Sequence, residues 1–70
     1  MREAAVEFRE AIRLKPDYAT AWFNLGNALA QDELWAEAMQ AFGQAVRIQP
    51  DFTEAREAID RIQNMRHERR

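Results

Sequence analysis

The two prolines of this chain, Pro16 and Pro50, stand 34 positions apart, and the same offset lays one stretch of sequence onto another. It pairs Glu3 with Glu37, Ala4 with Ala38, Phe8 with Phe42, Ala11 with Ala45, Arg13 with Arg47, Asp17 with Asp51 and Ala21 with Ala55. A period of this length holds two short helices and two turns, so the chain is one of stacked units in which each unit buries itself against the next. Proline supplies the punctuation. It cannot donate the helical hydrogen bond, and it pushes the residue before it out of the helical region, so a helix ends ahead of each proline.

Between these stops the apolar residues follow helical spacing. Residues 3–15 carry Ala4, Ala5, Phe8, Ala11, Ile12 and Leu14, with Glu3, Glu7, Glu10 and Arg13 on the other side, which predicts a first helix. A second runs from Ala19 to about Gln31, with Ala21, Trp22, Leu25, Ala28 and Leu29 as its core stripe. Asp32, Glu33 and Leu34 form a turn, and Trp35 to Ile48 resumes the pattern through Ala38, Met39, Phe42, Ala45 and Val46. Residues 53–67 make the last helix, with a single stripe of Ala55, Ala58, Ile59, Ile62 and Met65; a tail at 66–70, without an apolar anchor, is expected to fray. Asp17 is placed to cap the second helix and Asp51 the fourth, where Glu54 three residues on completes a capping-box-like pair. Glu57 and Arg61 are expected to pair across one turn. Gly26 in mid-helix costs about 1 kcal/mol in propensity and makes sense only where another backbone comes close.

The slots Trp22, Leu25, Gly26, Leu29, Ala38, Phe42, Ala45 and Pro50 resemble the tetratricopeptide repeat, whose pattern runs W-x2-L-G-x2-Y, A-x3-F and P within 34 residues. Only the Tyr slot departs, holding Leu29. The resemblance implies an all-α fold of four antiparallel helices: the second helix of a truncated repeat (3–15), one complete repeat (19–52) and a capping helix. Gly26, Ala38 and Ala45 then let the two helices of the repeat approach, while Trp22, Leu25, Leu29 and Phe42 fill the seam. The family usually has Gly where Glu33 stands, to turn the chain in a left-handed conformation. In the last helix Arg56 and Asp60 replace the Trp and Gly of the repeat, as suits a charged outer cap.

Composition narrows the functions. The chain has no cysteine and one histidine, His67, so neither a thiolate metal site nor a paired nucleophile can be assembled, and no catalytic role, metal or cofactor is expected. A net charge of -2 offers no general attraction for nucleic acid or an anionic membrane, and no apolar run is long enough to span a bilayer. A cytoplasmic, non-enzymatic interaction module is the expectation.

One surface departs from an ordinary solvated face. Thr20, Phe23, Asn24, Asn27, Ala30 and Gln31 lie on the second helix opposite its core stripe and include no charge, whereas solvated helix faces normally carry Glu, Lys and Arg. In tetratricopeptide proteins such positions line the concave groove that holds an extended peptide. Asn side chains can bond a peptide's N–H and C=O together, and Phe23, read as exposed, would add an apolar wall. Glu57 and Arg61 extend the expected groove. Asn24 also falls where the solenoids of O-linked sugar transferases, which this repeat resembles, carry a ladder of asparagines. The carboxylate clamp of members that hold acidic chaperone tails is broken, because Phe23, Glu54 and Ala58 stand at its basic positions and only Asn24 and Asn27 match. A peptide or protein partner is expected, and an acidic chaperone tail is not. The competing reading is an excised or engineered repeat unit that mainly self-assembles.

Self-association is the last expectation. Ala4, Phe8 and Ala11 are the slots that pack on a preceding helix. Leaving ~100–200 Å² of that stripe in water forfeits a few kcal/mol at about 25 cal/mol per Å². The expectation is a homodimer, by a two-fold contact of these faces or by exchange of helices across the turn at Asp32-Glu33-Leu34.

Overall fold

The computed structural model describes the backbone of residues 2–68 and the side chains of residues 6–65. Among the described residues four helices follow one another, α1 (Arg2–Leu14), α2 (Ala19–Gln31), α3 (Trp35–Ile48) and α4 (Thr53–Glu68). Each packs on its neighbour in sequence, α1 on α2, α2 on α3 and α3 on α4, and the result is a slab of 39 × 28 × 13 Å. This is the all-α repeat expected from the spacing. Backbone helix continues to Glu68, while the side chains of Ala4 and His67 and most of the expected frayed tail lie outside the described residues.

The period is visible in the main chain. Lys15 N–H bonds to the Ala11 carbonyl and Tyr18 N–H to the Lys15 carbonyl; 34 residues later Gln49 N–H bonds to Ala45 and Phe52 N–H to Gln49. Trp22 N–H to the Tyr18 carbonyl has its counterpart in Arg56 N–H to Phe52. The two proline turns are therefore one structure built twice. At the first, the Trp22 indole donates to the Pro16 carbonyl at 2.9 Å, pinning the loop to α2.

That frame corrects the capping assignments. The residue preceding α2 is Tyr18, without a side-chain cap, and α4 begins after Phe52, whose carbonyl is the first helical acceptor. Asp17 and Asp51 each lie one position too early to occupy the cap, because the proline turn spends a further residue before the helix starts.

The α2–α3 turn is different. Leu34 N–H reaches the Leu29 carbonyl and Glu33 N–H the Ala30 carbonyl, both at 2.9 Å, which together make a Schellman cap on α2. Such a cap needs a left-handed residue, and Glu33 takes it with φ 62. The chain turns where the family's Gly would turn it, with a residue that bears a Cβ.

The core runs along the seam. Leu25, Ala28 and Leu29 of α2 meet Ala38, Ala41, Phe42 and Ala45 of α3, and Ala55, Ala58 and Ile62 of α4 close over the other side. Phe42 is 1 % exposed and lies against Gly26, where a Cβ would come within 2.6 Å of the Phe42 ring. Gly26 thus makes room for an aromatic ring edge, not for a second backbone. Phe8 and Ile12 of α1 pack on the same cluster, and Phe8 and Ala11 are half-buried. The stripe read as a free self-association face is partly spent inside the chain; the large apolar residues most exposed along α1 are Val6 and Leu14.

Candidate functional site

α2 and α4 are successive first helices of the repeat frame, so residues 34 apart on them occupy equivalent slots. Asn27 and Arg61 are such a pair. The structure brings both to the rim of one cleft of about 230 Å³, together with Ala30 of α2, Trp35 and Phe42 of α3, and Ala58, Ile62 and Met65 of α4. The lining side chains are apolar apart from Asn27, Arg61 and the indole N–H of Trp35, an arrangement suited to one bulky apolar side chain held beside a carbonyl or carboxylate. A guanidinium presents a planar fork that fits a carboxylate bidentately, and an amide can both donate and accept.

The other expected groove residues fall elsewhere. Thr20 and Gln31 are exposed on α2 and Asn24 is half-buried, all outside the cleft lining. Phe23 corrects the expectation of an exposed wall: it is half-buried, with its ring 5.6 Å from Phe42 and 5.0 Å from Phe52. The turn after α3 folds Phe52 back toward α2, and that neighbour, far off in sequence, covers Phe23. Glu57 is exposed and makes no ion pair with Arg61, whereas Arg13 pairs with Glu10 at 2.6 Å on the surface of α1. Among the described residues Arg61 has no ion-pair partner beside the cleft. Trp35, Ile62 and Met65 are cleft residues that sequence reading assigned to packing. The 34-residue offset relates Asn27 to Arg61 across two equivalent helices, but no spacing marks this floor, which depends on how α4 lies over α3.

Among the described residues no group of three or more His, Cys, Asp or Glu side chains is placed to hold a metal ion, and no helix is long and apolar enough to cross a membrane.

The fold is that of a helical repeat built from paired antiparallel helices. Family models described as "TPR repeat" and "Tetratricopeptide repeat" match residues 2–32 and 19–52, and the chain belongs to the tetratricopeptide-repeat family. It is similar to the peroxisomal targeting signal receptor of Eremothecium gossypii, 39% identical over 70% of this chain and 9% of that protein. It is 37% identical to superkiller protein 3 of Schizosaccharomyces pombe over 70% of this chain and 4% of that protein. The Saccharomyces cerevisiae peroxisomal targeting signal receptor is 30% identical over 84% of this chain and 10% of its own length. The chain thus spans a tenth or less of each of these relatives.

Proposed function

We propose that this chain is a protein-interaction module, without catalysis or cofactor, that holds an extended peptide on the face shared by α2 and α4. The observation that carries the reading is the cleft in which Asn27 and Arg61, equivalent slots of two successive units, stand over an apolar floor. An apolar side chain of the partner enters between Trp35 and Met65, Arg61 takes an adjacent carbonyl or carboxylate, and Asn27 secures the peptide backbone. Asn24 and Gln31 continue the line as weaker contacts. Two of the relatives are named as receptors for a targeting signal, which supports a short peptide as the kind of ligand. Acidic chaperone tails are not expected to bind, since Ala58 is buried and Glu54 stands where a second cation would be needed. The proposal keeps the cytoplasmic setting expected from the sequence.

Calorimetric titration with short peptides that place Leu, Phe or Met beside a C-terminal carboxylate or a single acidic residue tests this. Losing one charge-assisted hydrogen bond is worth about 1.5–3 kcal/mol, so Arg61→Ala is expected to weaken binding roughly tenfold or more. Asn27→Ala is expected to weaken it by about threefold to tenfold. A Glu-Glu-Val-Asp peptide serves as the negative control. Affinity for the peptide set that neither substitution changes would remove the site.

A further inference from the structure

The three turns of this chain are of two kinds, and the difference bears on what a second copy can do. The turns at Pro16 and Pro50 cannot become helix, because proline lacks the amide proton and displaces the residue before it. The turn at Asp32-Glu33-Leu34 has no such barrier: from Gln31 to Glu37 the sequence holds neither proline nor glycine. Its reversal depends on Glu33 at φ 62, where the Cβ of an L-residue crowds the following carbonyl oxygen. Among the described residues Glu33 is the one non-glycine residue with positive φ.

We propose that this turn opens, joining α2 and α3 into one continuous helix over residues 19–48, and that two chains then exchange halves. The α1–α2 half of one copy packs on the α3–α4 half of its partner. The occupant is a second copy, since the exchanged surface is the seam of Leu25 and Leu29 against Ala38 and Phe42, already complementary within one chain. The swap rebuilds that seam between chains and needs no new fit. Strain at Glu33 is relieved in both copies, and the amides that now make the Schellman cap pass into ordinary helical bonds. Opposing it are the lost translational freedom of one chain and the like-charge approach of Glu33 and Glu37 at one-turn spacing. The balance is therefore concentration-dependent, and the two forms interconvert only when the seam opens.

The chain has no cysteine of its own, so Thr20→Cys and Arg47→Cys, at two exposed positions, can carry spin labels. In the closed hairpin these positions lie at the same end. In the joined helix they are about 40 Å apart, from the rise of 1.5 Å per residue. The doubly labelled chain is mixed with excess unlabelled chain, annealed through its unfolding midpoint at ~1 mM, and examined by sedimentation and by pulsed electron–electron distance measurement. A dimer with the long intrachain distance is expected, and Glu33→Gly, which removes the strain without disturbing the turn, is expected to weaken dimerisation by about tenfold or more. A monomer throughout, or a dimer showing only the short distance, would overturn the exchange. A swapped dimer indifferent to Glu33→Gly would overturn the role given to Glu33.

Discussion

Gly26 and Gly43 both interrupt helices that would be better served by alanine, and at each the propensity cost is about 1 kcal/mol. Their surroundings are opposite. A Cβ on Gly26 would meet three atoms of the Phe42 ring at 2.6, 2.7 and 2.9 Å, whereas a Cβ on Gly43 would meet nothing within 4 Å. The first glycine is part of the seam: it flattens α2 so that the most deeply buried aromatic ring can lie against the helix itself. Nothing in the structure explains the second. One residue type in one kind of element therefore has two meanings, and burial of the neighbour decides which.

The largest expected effect breaks the comparison on its closed side. Gly26→Ala gains helix propensity but overpacks Phe42, which is 1 % exposed and has nowhere to retreat. Overpacking of this kind costs about 1–3 kcal/mol, and for a domain of this size each kcal/mol lowers Tm by roughly 4–8 °C. Thermal unfolding followed by circular dichroism checks it; a variant as stable as the parent would mean that Phe42 is not fixed. A sharper version combines Gly26→Ala with Phe42→Leu. The smaller side chain opens the space that the new methyl needs, so a double-mutant cycle is expected to show favourable coupling of about 1 kcal/mol.

Next in size is a contact in the first turn of α2. Trp22→Phe keeps a ring in the α1–α2 angle and removes the indole donor to the Pro16 carbonyl. The expected loss is about 1 kcal/mol, the net worth of one hydrogen bond, read as a lower urea midpoint with unchanged slope. Gly43→Ala then tests the open side: with space around it, the substitution is expected to raise stability by about 0.5–1 kcal/mol. A loss at Gly43 would show that something presses on that face in solution.

Legibility of the sequence follows the same division between local and distant causes. Helix bounds, the 34-residue register and the seam of Leu25, Leu29, Ala38 and Phe42 were legible because periodicity and proline act locally and strongly. So was a turn at Asp32-Glu33-Leu34, since its position is set by the helices on either side; that Glu33 itself takes the left-handed conformation was not. Other details were not, among them the partner of Gly26, which is the Phe42 ring and not a backbone, and the absent Glu57–Arg61 pair. Asp17 and Asp51 miss their caps by one residue, a shift set by the hydrogen-bond frame of the turn and not by side-chain preference. Phe23 looked exposed from the helical pattern of α2 alone, and its cover, Phe52, comes from the turn before α4. Of the groove residues, Asn27 and Arg61 converge on the cleft, while its floor of Trp35, Ile62 and Met65 depends on how α4 lies over α3. Crossing geometry leaves little trace in spacing.

The smallest effect separates two arginines and, through them, stability from recognition. Arg13 holds Glu10 at 2.6 Å, yet side-chain exposures of 68% and 59% leave that pair in water, where screening and side-chain entropy cancel most of the attraction. Arg61 is exposed and forms no pair with Glu57. Arg13→Ala and Arg61→Ala are therefore both expected to leave the urea midpoint within the equivalent of about 0.5 kcal/mol. Only their effect on peptide binding should differ, because Arg61 stands at the rim of the cleft and Arg13 lies on a different helix away from its lining. Equal stability with unequal affinity would assign Arg61 to recognition. If Arg61→Ala instead lowers stability by more than 1 kcal/mol, its aliphatic stem is part of the packing over Ile62, and any loss of affinity must be measured again with Arg61→Gln, which keeps most of the stem and removes the charge.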